Sequence, residues 1–475
     1  MAKRSVRYSI FGALSLLLLI PCYWRSHIAS SDLASHIYNA WLTIQIQEGR
    51  VAGIEIARQW NNVLFDLMLA GLLPLTGSDW SERIAVSVAV LVFAGGSMIF
   101  IVATSRGIPW HILPGLAMLA YGFVFHVGLF NYYLSTGFCL AALGLLWNFS
   151  TQRMLYAAPF VALGFLSHPL PVVWLAVVIA FISLARRVPV RNRLILTVVM
   201  FGAVLATAKL LTLVFKSRWQ LSQFFLWSGV DQAVVYDSQY WWWGLAWFAW
   251  WTLLFGLMIH RLGWPRVFKS VLFHLIIVQA AVLVFIPSQI QFPGYPAPFS
   301  LFCERMSLIQ GVLVCGLLAR APLNALALVP GLLLGASYFY QLYREDGLLA
   351  QFQDQVTAVT ASFSGRPKAV TGLCIPDRRI NYGSHLVDRA CVGNCYSYGN
   401  YEPSSGHFRL RAHPSNGFVV AEISRAYAFE FGGAEVTAQD LPLLRIEGTL
   451  GGEITVRELR EGEKVTDPCP VSQSR

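Results

Sequence analysis

The chain alternates long apolar runs with short polar interruptions that are often basic. Stretches of about 17–22 apolar residues, coiled as helix, match the thickness of a bilayer's hydrocarbon core. Eleven such stretches are predicted, near residues 8–24, 82–103, 108–127, 130–149, 154–167, 169–185, 193–215, 240–260, 268–288, 302–319 and 323–341. Residues 154–185 pose a choice between one long helix and two short ones. Arg153 and the cluster Arg186, Arg187, Arg191 and Arg193 flank them, and basic loops favour the cytoplasm, so an even number of crossings must lie between. His168-Pro169, with Pro171, supplies the break.

The same rule reads Lys3, Arg4, Arg7, Arg106, Arg261, Arg266, Lys269 and Arg320 as inside markers. The loops 186–193 and 261–269 are then cytoplasmic, and the segments 25–80, 216–239 and 289–302 lie outside. The run Tyr8–Ile20 is read as an uncleaved anchor, not a cleaved signal peptide, because no small-x-small site follows. Pro21 before Cys22 argues against a lipoprotein cleavage box. An odd number of spans places the C-terminus outside. The expected domains are a transmembrane region, 1–343, and an extracytoplasmic soluble region, 344–475.

Beyond Arg344-Glu345-Asp346 the pattern changes. A helix is expected from Gly347 to Ala361, and short strands at Gly417–Ile423, Ala426–Phe431 and Gly452–Arg457, giving a small β-rich domain. Of eight cysteines, Cys374, Cys391, Cys395 and Cys469 fall in this tail. An even number in an exported segment points to disulfides, with the pairing open. Cys391 and Cys395 are also spaced as half of a zinc site, but no second half follows.

Composition agrees. Of 475 residues, 56% are hydrophobic and 13% charged, against roughly 45–50% and 25% for soluble domains. The formal charge of +10 sits in the short clusters that mark topology, so nucleic acid is not an expected partner. Trp241, Trp242 and Trp243, with Trp247, Trp250 and Trp251, read as an aromatic belt facing lipid.

Candidate chemistry concentrates after the first span, in Ser31-Asp32-Leu-Ala-Ser-His36-Ile-Tyr-Asn39-Ala. Asp32 and His36 are four apart and share a helix face, and a carboxylate is favoured at the helix N-terminus. The structural alternative for Asp32 is an N-cap. A second amphipathic helix, Ile56–Leu73, would carry Gln59, Asn61, Asn62 and Asp66. Arg305 lies at the start of a span, where charge needs a task or a partner; the alternative is a structural pair with Glu304. Lys209 lies within a span, Lys216 and Arg218 at its end, and His126 is read as a packing residue.

An acidic residue just outside the first span, followed by a His-containing helix and a second amphipathic helix, resembles the first periplasmic loop of GT-C glycosyltransferases. The start Asp32-x-x-x-His36-x-x-Asn39-Ala is also similar to that of a group of bacterial membrane proteins. Gly164-Phe-Leu-Ser-His168-Pro169 resembles the Gly-x-x-x-x-(Thr/Ser)-Lys-x-Pro region of aminoarabinose and protein-mannosyl transferases, with His168 where those carry Lys. The resemblance covers the first 343 residues or so. It implies a bacterial plasma-membrane enzyme that takes a sugar from a polyprenyl-phosphate donor, with inversion, and passes it to an envelope acceptor on the outer face.

In that reading Asp32 is the base, assisted by His36, and the two are candidate ligands for a divalent metal, Mg or Mn. Asn39, Asn61, Asp66, His168 and Arg305 are candidate substrate contacts. The chain departs from the family in lacking both an acidic pair in the first loop and the Lys of the short-helix motif. Those departures motivate an alternative, a catalytically silent polyprenyl-lipid-binding protein of the envelope. The segment Tyr396–His407 could then be a recognition loop, against the plainer reading of an ordinary loop near a disulfide. A transporter or flippase is the remaining class.

Overall fold

A computed structural model describes residues 12–105, 107–294, 298–323 and 325–469. The basic markers Lys3, Arg4, Arg7 and Arg106 lie outside the described residues. The fold is mostly helical, with a small sheet region near the C-terminus. Among the described residues six helices are long and apolar enough to cross a membrane: Leu64–Ser105, Trp110–Val127, Pro169–Arg187, Val190–Val214, Ser238–Leu262 and Leu326–Ala361. Gly12–Cys22, Phe130–Leu146 and Val271–Phe285 are apolar but shorter. Of the eleven predicted spans, those near 154–167 and 302–319 appear as the 17-residue helices Thr151–Ser167 and Phe302–Leu318.

The chain divides into two compact units. The first joins residues 1–88 and 126–130 to 342–475, so the first loop and the tail belong to one unit. Helix α1 (Ser31–Gln47) follows an extended Ser30, and Asp32 sits in its first turn, where the helix dipole favours a negative charge. No side-chain cap bond forms at Ser30, so the N-cap reading of Asp32 is replaced by a first-turn position. The helix ends at Gly49, whose φ of 71° suits glycine. Gly49 N–H donates to the Ile46 carbonyl and Arg50 N–H to that of Gln45, a Schellman ending that satisfies the last carbonyls.

Strand β1 (Ile54–Ile56) comes next, and then α2 (Leu64–Ser105), which carries non-helical angles at Gly77 and Pro74 one turn before it. The amphipathic helix expected at Ile56–Leu73 therefore starts eight residues late. Ile56 is in a strand, and Asn62 adopts φ 55°, a left-handed conformation that Asn tolerates and that a helix excludes. Gln59 and Asn61 lie in the intervening loop.

The tail begins inside a helix: α3 (Val329–Ala361) runs unbroken through 343–344. It continues as β2 (Lys368–Cys374), α4 (Leu386–Cys391), β3 (Tyr396–Ser397), α5 (Tyr401–Ser405), β4 (Leu410–Ala412), α6 (Ile423–Phe431), β5 (Leu443–Thr449) and β6 (Thr455–Glu458). The sheet order is β3-β2-β5-β6. The β2/β3 and β2/β5 pairs are parallel, while β5/β6 is antiparallel. Parallel neighbours need crossovers, and α4 and α6 lie on them, so the β-rich expectation becomes a mixed α/β module. The strand expected at Ala426–Phe431 is helix, because Ile423, Ala426, Phe429 and Glu430 recur at three- and four-residue intervals and are the buried set. No strand forms at Gly417–Ile423, and the third expected strand survives as β6.

Two further contacts hold loop and tail together. β1 pairs antiparallel with β4, Glu55 opposite Arg411. Arg389 of α4 meets Glu82 at 3.1 Å, both nearly buried, and the other Glu82 oxygen accepts the Ile28 N–H at 3.1 Å. The tail cysteines form Cys374–Cys469 and Cys391–Cys395.

The second unit comprises residues 89–125 and 131–341. The predicted break is present: Thr151–Ser167 and Pro169–Arg187 are separate helices, and His168 between them is extended. Lys216–Arg218 pairs with Gln289–Gln291, joining two of the long segments expected outside. Arg193 donates to the Lys269 carbonyl at 2.6 Å, joining two of the loops expected inside. The tryptophan belt is corrected in part. Trp242 is exposed, but Trp247, Trp250 and Trp251 are buried within the unit, because they fall on the face of Trp241–Leu262 that also carries buried Gly244 and Leu254.

Candidate functional site

In the first unit the N-terminal half of α1 meets the tail. Ser31 Oγ donates to the Asn381 carbonyl at 2.7 Å, the Ser397 N–H donates to Tyr38 Oη at 2.9 Å, and Asn400 Nδ2 donates to Asn39 Oδ1 at 2.6 Å. Asn39 Nδ2 donates in turn to Ser35 Oγ. Asn39 is thus buried and used at both ends of its amide, which ties α1 to the tail. Asn61 is half-buried in the loop before α2, away from these bonds.

Asp32 and His36 share a face as expected, but each has its own partner. His36 Nδ1 donates to Asp66 Oδ1 at 2.6 Å, and its ring packs edge-on against Phe65, which stacks on Phe130. Burial works against charge on His36, yet the charge and hydrogen bond of Asp66, with Glu402 and Asp32 adding, push it up to about 9. Asp32 faces the tail: its Oδ1 lies 3.6 Å from His385 Nε2, an ion-pair distance too long for a hydrogen bond. His385 Nδ1 donates to Asp388 Oδ2 at 2.8 Å, and Asp388 Oδ1 accepts from Ser397 Oγ. Burial again opposes the charge on His385, and the hydrogen bond and charge of Asp388, then Asp32 and Glu430, outweigh it and push it up to about 9.

Two more carboxyls complete the cluster. Burial is the main cause that lifts Glu402 of α5 to about 8; the charges of Asp66, Asp32 and Asp388 add to it, against the pull of His36. Glu430 of α6 is also raised, chiefly by burial, with His385 opposing. The site thus holds the pairs His36–Asp66 and His385–Asp388, the two raised carboxyls Glu402 and Glu430, and Asp32. Among the described residues none hydrogen-bonds the Asp32 side chain, which is 26% exposed. Backbone crowding fixes its place. Gly128, at φ 95°, lies so close that a Cβ there would be 2.7 Å from Asp32 N.

Sequence reasoning missed His385, Asp388, Glu402 and Glu430. The spacing His385-x-x-Asp388 was the available signal, since i and i+3 share a helix face. Tyr396–His407, read as an ordinary loop, is β3 and α5 and delivers Glu402.

A histidine held protonated has no lone pair for a metal, and Asp32 and His36 are engaged by different residues. Among the described residues no group of three or more His, Cys, Asp or Glu side chains is arranged to hold a metal ion. His36 is bonded to Asp66 and Asp32 faces His385, and no step below runs through a metal.

The other two predicted contacts belong to the second unit. His168 Nδ1 accepts from the Leu170 N–H at 3.2 Å, capping Pro169–Arg187. Its ring meets Tyr132 edge-on at 5.6 Å. The Arg305 guanidinium lies over the same Tyr132 ring at 5.9 Å and over Phe299 at 5.4 Å. Tyr132 Oη donates to the Arg305 carbonyl at 2.8 Å. His168 and Arg305 therefore share one neighbourhood, organised by Tyr132.

No family model, curated protein or solved structure matches the chain.

Proposed function

We propose that the protein is an integral membrane glycosyltransferase of GT-C type, which moves a sugar from a polyprenyl-phosphate donor to an envelope acceptor on the outer face of a bacterial plasma membrane. The observation that carries this reading is Asp32. Its carboxylate stands in the first turn of the first-loop helix, fixed by Gly128 and faced by His385, with no hydrogen bond from the described residues. Displacement at an anomeric carbon needs a group to take the acceptor's proton, and a positioned carboxylate does this. The His385 ring stands at ion-pair distance on the tail side of this carboxylate. His36 serves the site as a cation locked to Asp66.

In the second unit, taken by itself, the Arg305–Tyr132–His168 neighbourhood is a proposed anion contact, for which a guanidinium is the suitable side chain. The pairing of the loops expected outside, and of those expected inside, supports the assigned sidedness.

The test is Asp32→Asn in purified protein incubated with a panel of polyprenyl-phosphate sugars and envelope acceptors. Wild type should release or transfer sugar. The variant should keep its fold, losing about 0.3–1 kcal/mol of dipole interaction, while turnover falls on the order of 10²–10⁴. Full activity in Asp32→Asn would remove the base assignment. Wild type that binds a donor without turning it over would favour the silent lipid-binding reading.

A further inference from the structure

In the second unit the ribbon that joins Lys216–Arg218 to Gln289–Gln291 has two unlike faces. Successive residues of a strand point to opposite sides, and directly paired residues share a side. The register sets Lys216 opposite Gln291, Ser217 opposite Ile290 and Arg218 opposite Gln289. One face therefore carries two cations and two amides, Lys216, Arg218, Gln289 and Gln291, and the other carries Ser217 and Ile290. Ile290 is buried, whereas Lys216 and Arg218 are exposed. No Asp or Glu occurs in residues 214–228 or 286–300, and among the described residues neither cation has an ion-pair partner.

The segment after Arg218 is pinned beside this ribbon. Carbonyls at the end of a helix have no intrahelical donor, and those at the end of Val271–Phe285 are met by side chains from here. Trp219 Nε1 donates to the Val284 carbonyl at 2.6 Å, and Gln223 Nε2 donates to those of Leu283 at 3.0 Å and Ile286 at 2.8 Å. The short helix Leu221–Phe225 is thereby held with Gln223 buried and with Leu221, Phe224 and Phe225 exposed, Leu221 to 73%; Trp219 and Trp227 at its ends are exposed as well. Five large apolar side chains held in the open by bonds made on the inner side call for a covering. The segment connects Val190–Val214 to Ser238–Leu262, two helices long and apolar enough to cross a membrane, and Lys216 comes two residues after the first of them ends. That is the level at which aromatic and cationic side chains meet lipid headgroups.

We propose that this edge of the second unit binds one anionic phospholipid, its phosphate held by Lys216 and Arg218 with the two glutamine amides beside them, and its acyl chains lying along Leu221, Phe224 and Phe225. Only the crossing of a bilayer by the apolar helices is required for this, and not the transferase reading above. Positions two apart on a strand stand roughly 6–7 Å apart, a spacing across which an ammonium and a guanidinium can share the oxygens of one phosphate, the guanidinium by its paired donors. A soluble anion would meet the cations and leave the apolar side chains uncovered; a phospholipid satisfies both.

The experiment places the full chain in nanodiscs with a trace of phosphatidylglycerol or phosphatidylcholine that carries a photoreactive diazirine on an acyl chain, and maps the adducts by mass spectrometry. In wild type, residues 219–227 should be labelled roughly 10- to 25-fold more by phosphatidylglycerol, since each cation at a membrane surface favours anionic lipid about fivefold. Lys216→Gln with Arg218→Gln should bring the two lipids level at this segment. Adducts at Val173 and Val177, exposed on Pro169–Arg187, should stay at wild-type yield, which shows that the variant is inserted and folded. If it is not, wild type in about 1 M salt decides the matter, because screening within about 3 Å should erase most of the preference. The proposal is overturned by equal labelling in wild type, by a preference that survives both substitutions or the salt, or by loss of labelling when glycerol phosphate, a headgroup without acyl chains, is added in excess. The last result would make the ribbon a site for a soluble anion.

Discussion

Gly128→Ala tests whether backbone crowding, and not side-chain bonding, places Asp32. An alanine Cβ would lie 2.7 Å from Asp32 N, 2.9 Å from Asp32 Cβ and 2.9 Å from Leu33 N. To reach the 3.4 Å at which ordinary contact begins, the start of α1 must retreat by about 0.7 Å. No rotamer relieves this, since two of the three atoms are main chain. The φ of 95° adds strain of about 1–3 kcal/mol for any residue with a Cβ, and the overlap about 1–3 kcal/mol more. Because a misplacement of about 1 Å costs about 10²-fold in catalysis, the smaller retreat should lower turnover roughly 10- to 50-fold. Gly71→Ala is the control: Gly71 lies in α2 with nothing within 4 Å of a built Cβ, so the change should stabilise by about 1 kcal/mol or less. Thermal unfolding in detergent and the transfer assay would be run on both. Wild-type melting and turnover in Gly128→Ala would refute the idea that this contact sets the position of Asp32.

Three further outcomes follow from the first unit. Arg389→Ala strands the buried Glu82 carboxyl and should cost about 3–5 kcal/mol, read by thermal unfolding, whereas the double variant Arg389→Met with Glu82→Leu should recover much of that loss. Stability should fall as pH rises: His36 and His385 are raised to about 9 and Glu402 to about 8, so their folded states bind more protons than the unfolded chain. That contribution is complete at low pH, Glu402's begins to fade above about 4.5 and the histidines' above about 6.5, and all is gone once pH passes the folded values; an alkaline scan of Asp66→Asn should show a shallower decline. Intact-mass analysis should find four hydrogens gained on reduction of the two disulfides, with Cys374→Ser more damaging than Cys391→Ser, because the first closes 95 residues and the second four.

What the sequence revealed and what it hid divide along physical lines. The break at His168-Pro169 was legible because prolines act locally. So was the shared face of Asp32 and His36, which is helical periodicity alone. The partners of those residues were not: Tyr38 meets Ser397 at a separation of 359 and Asn39 meets Asn400 at 361, and contacts that distant leave no periodic trace. Ala426-Tyr-Ala-Phe-Glu-Phe431 misled because it also alternates small and large residues, and the neighbours that choose between periods two and 3.6 are the sheet strands beneath α6. The late start of α2 was set by one residue, Asn62, whose backbone angle no pattern announces.

The tail's share in the cluster also fixes when in the life of the molecule it can exist. A ribosome that has released the first 380 residues has made Asp32, His36 and Asp66 but not His385, Asp388, Glu402 or Glu430. Until α4 and α5 arrive, His36 can find Asp66 while Asp32 has no imidazolium facing it. A chain cut short after α3 would lack every tail member of the cluster, so under the proposed function premature stops late in the message should yield inert protein and not weakened protein. The order of synthesis thereby withholds the full charge cluster from any chain that ends before α6.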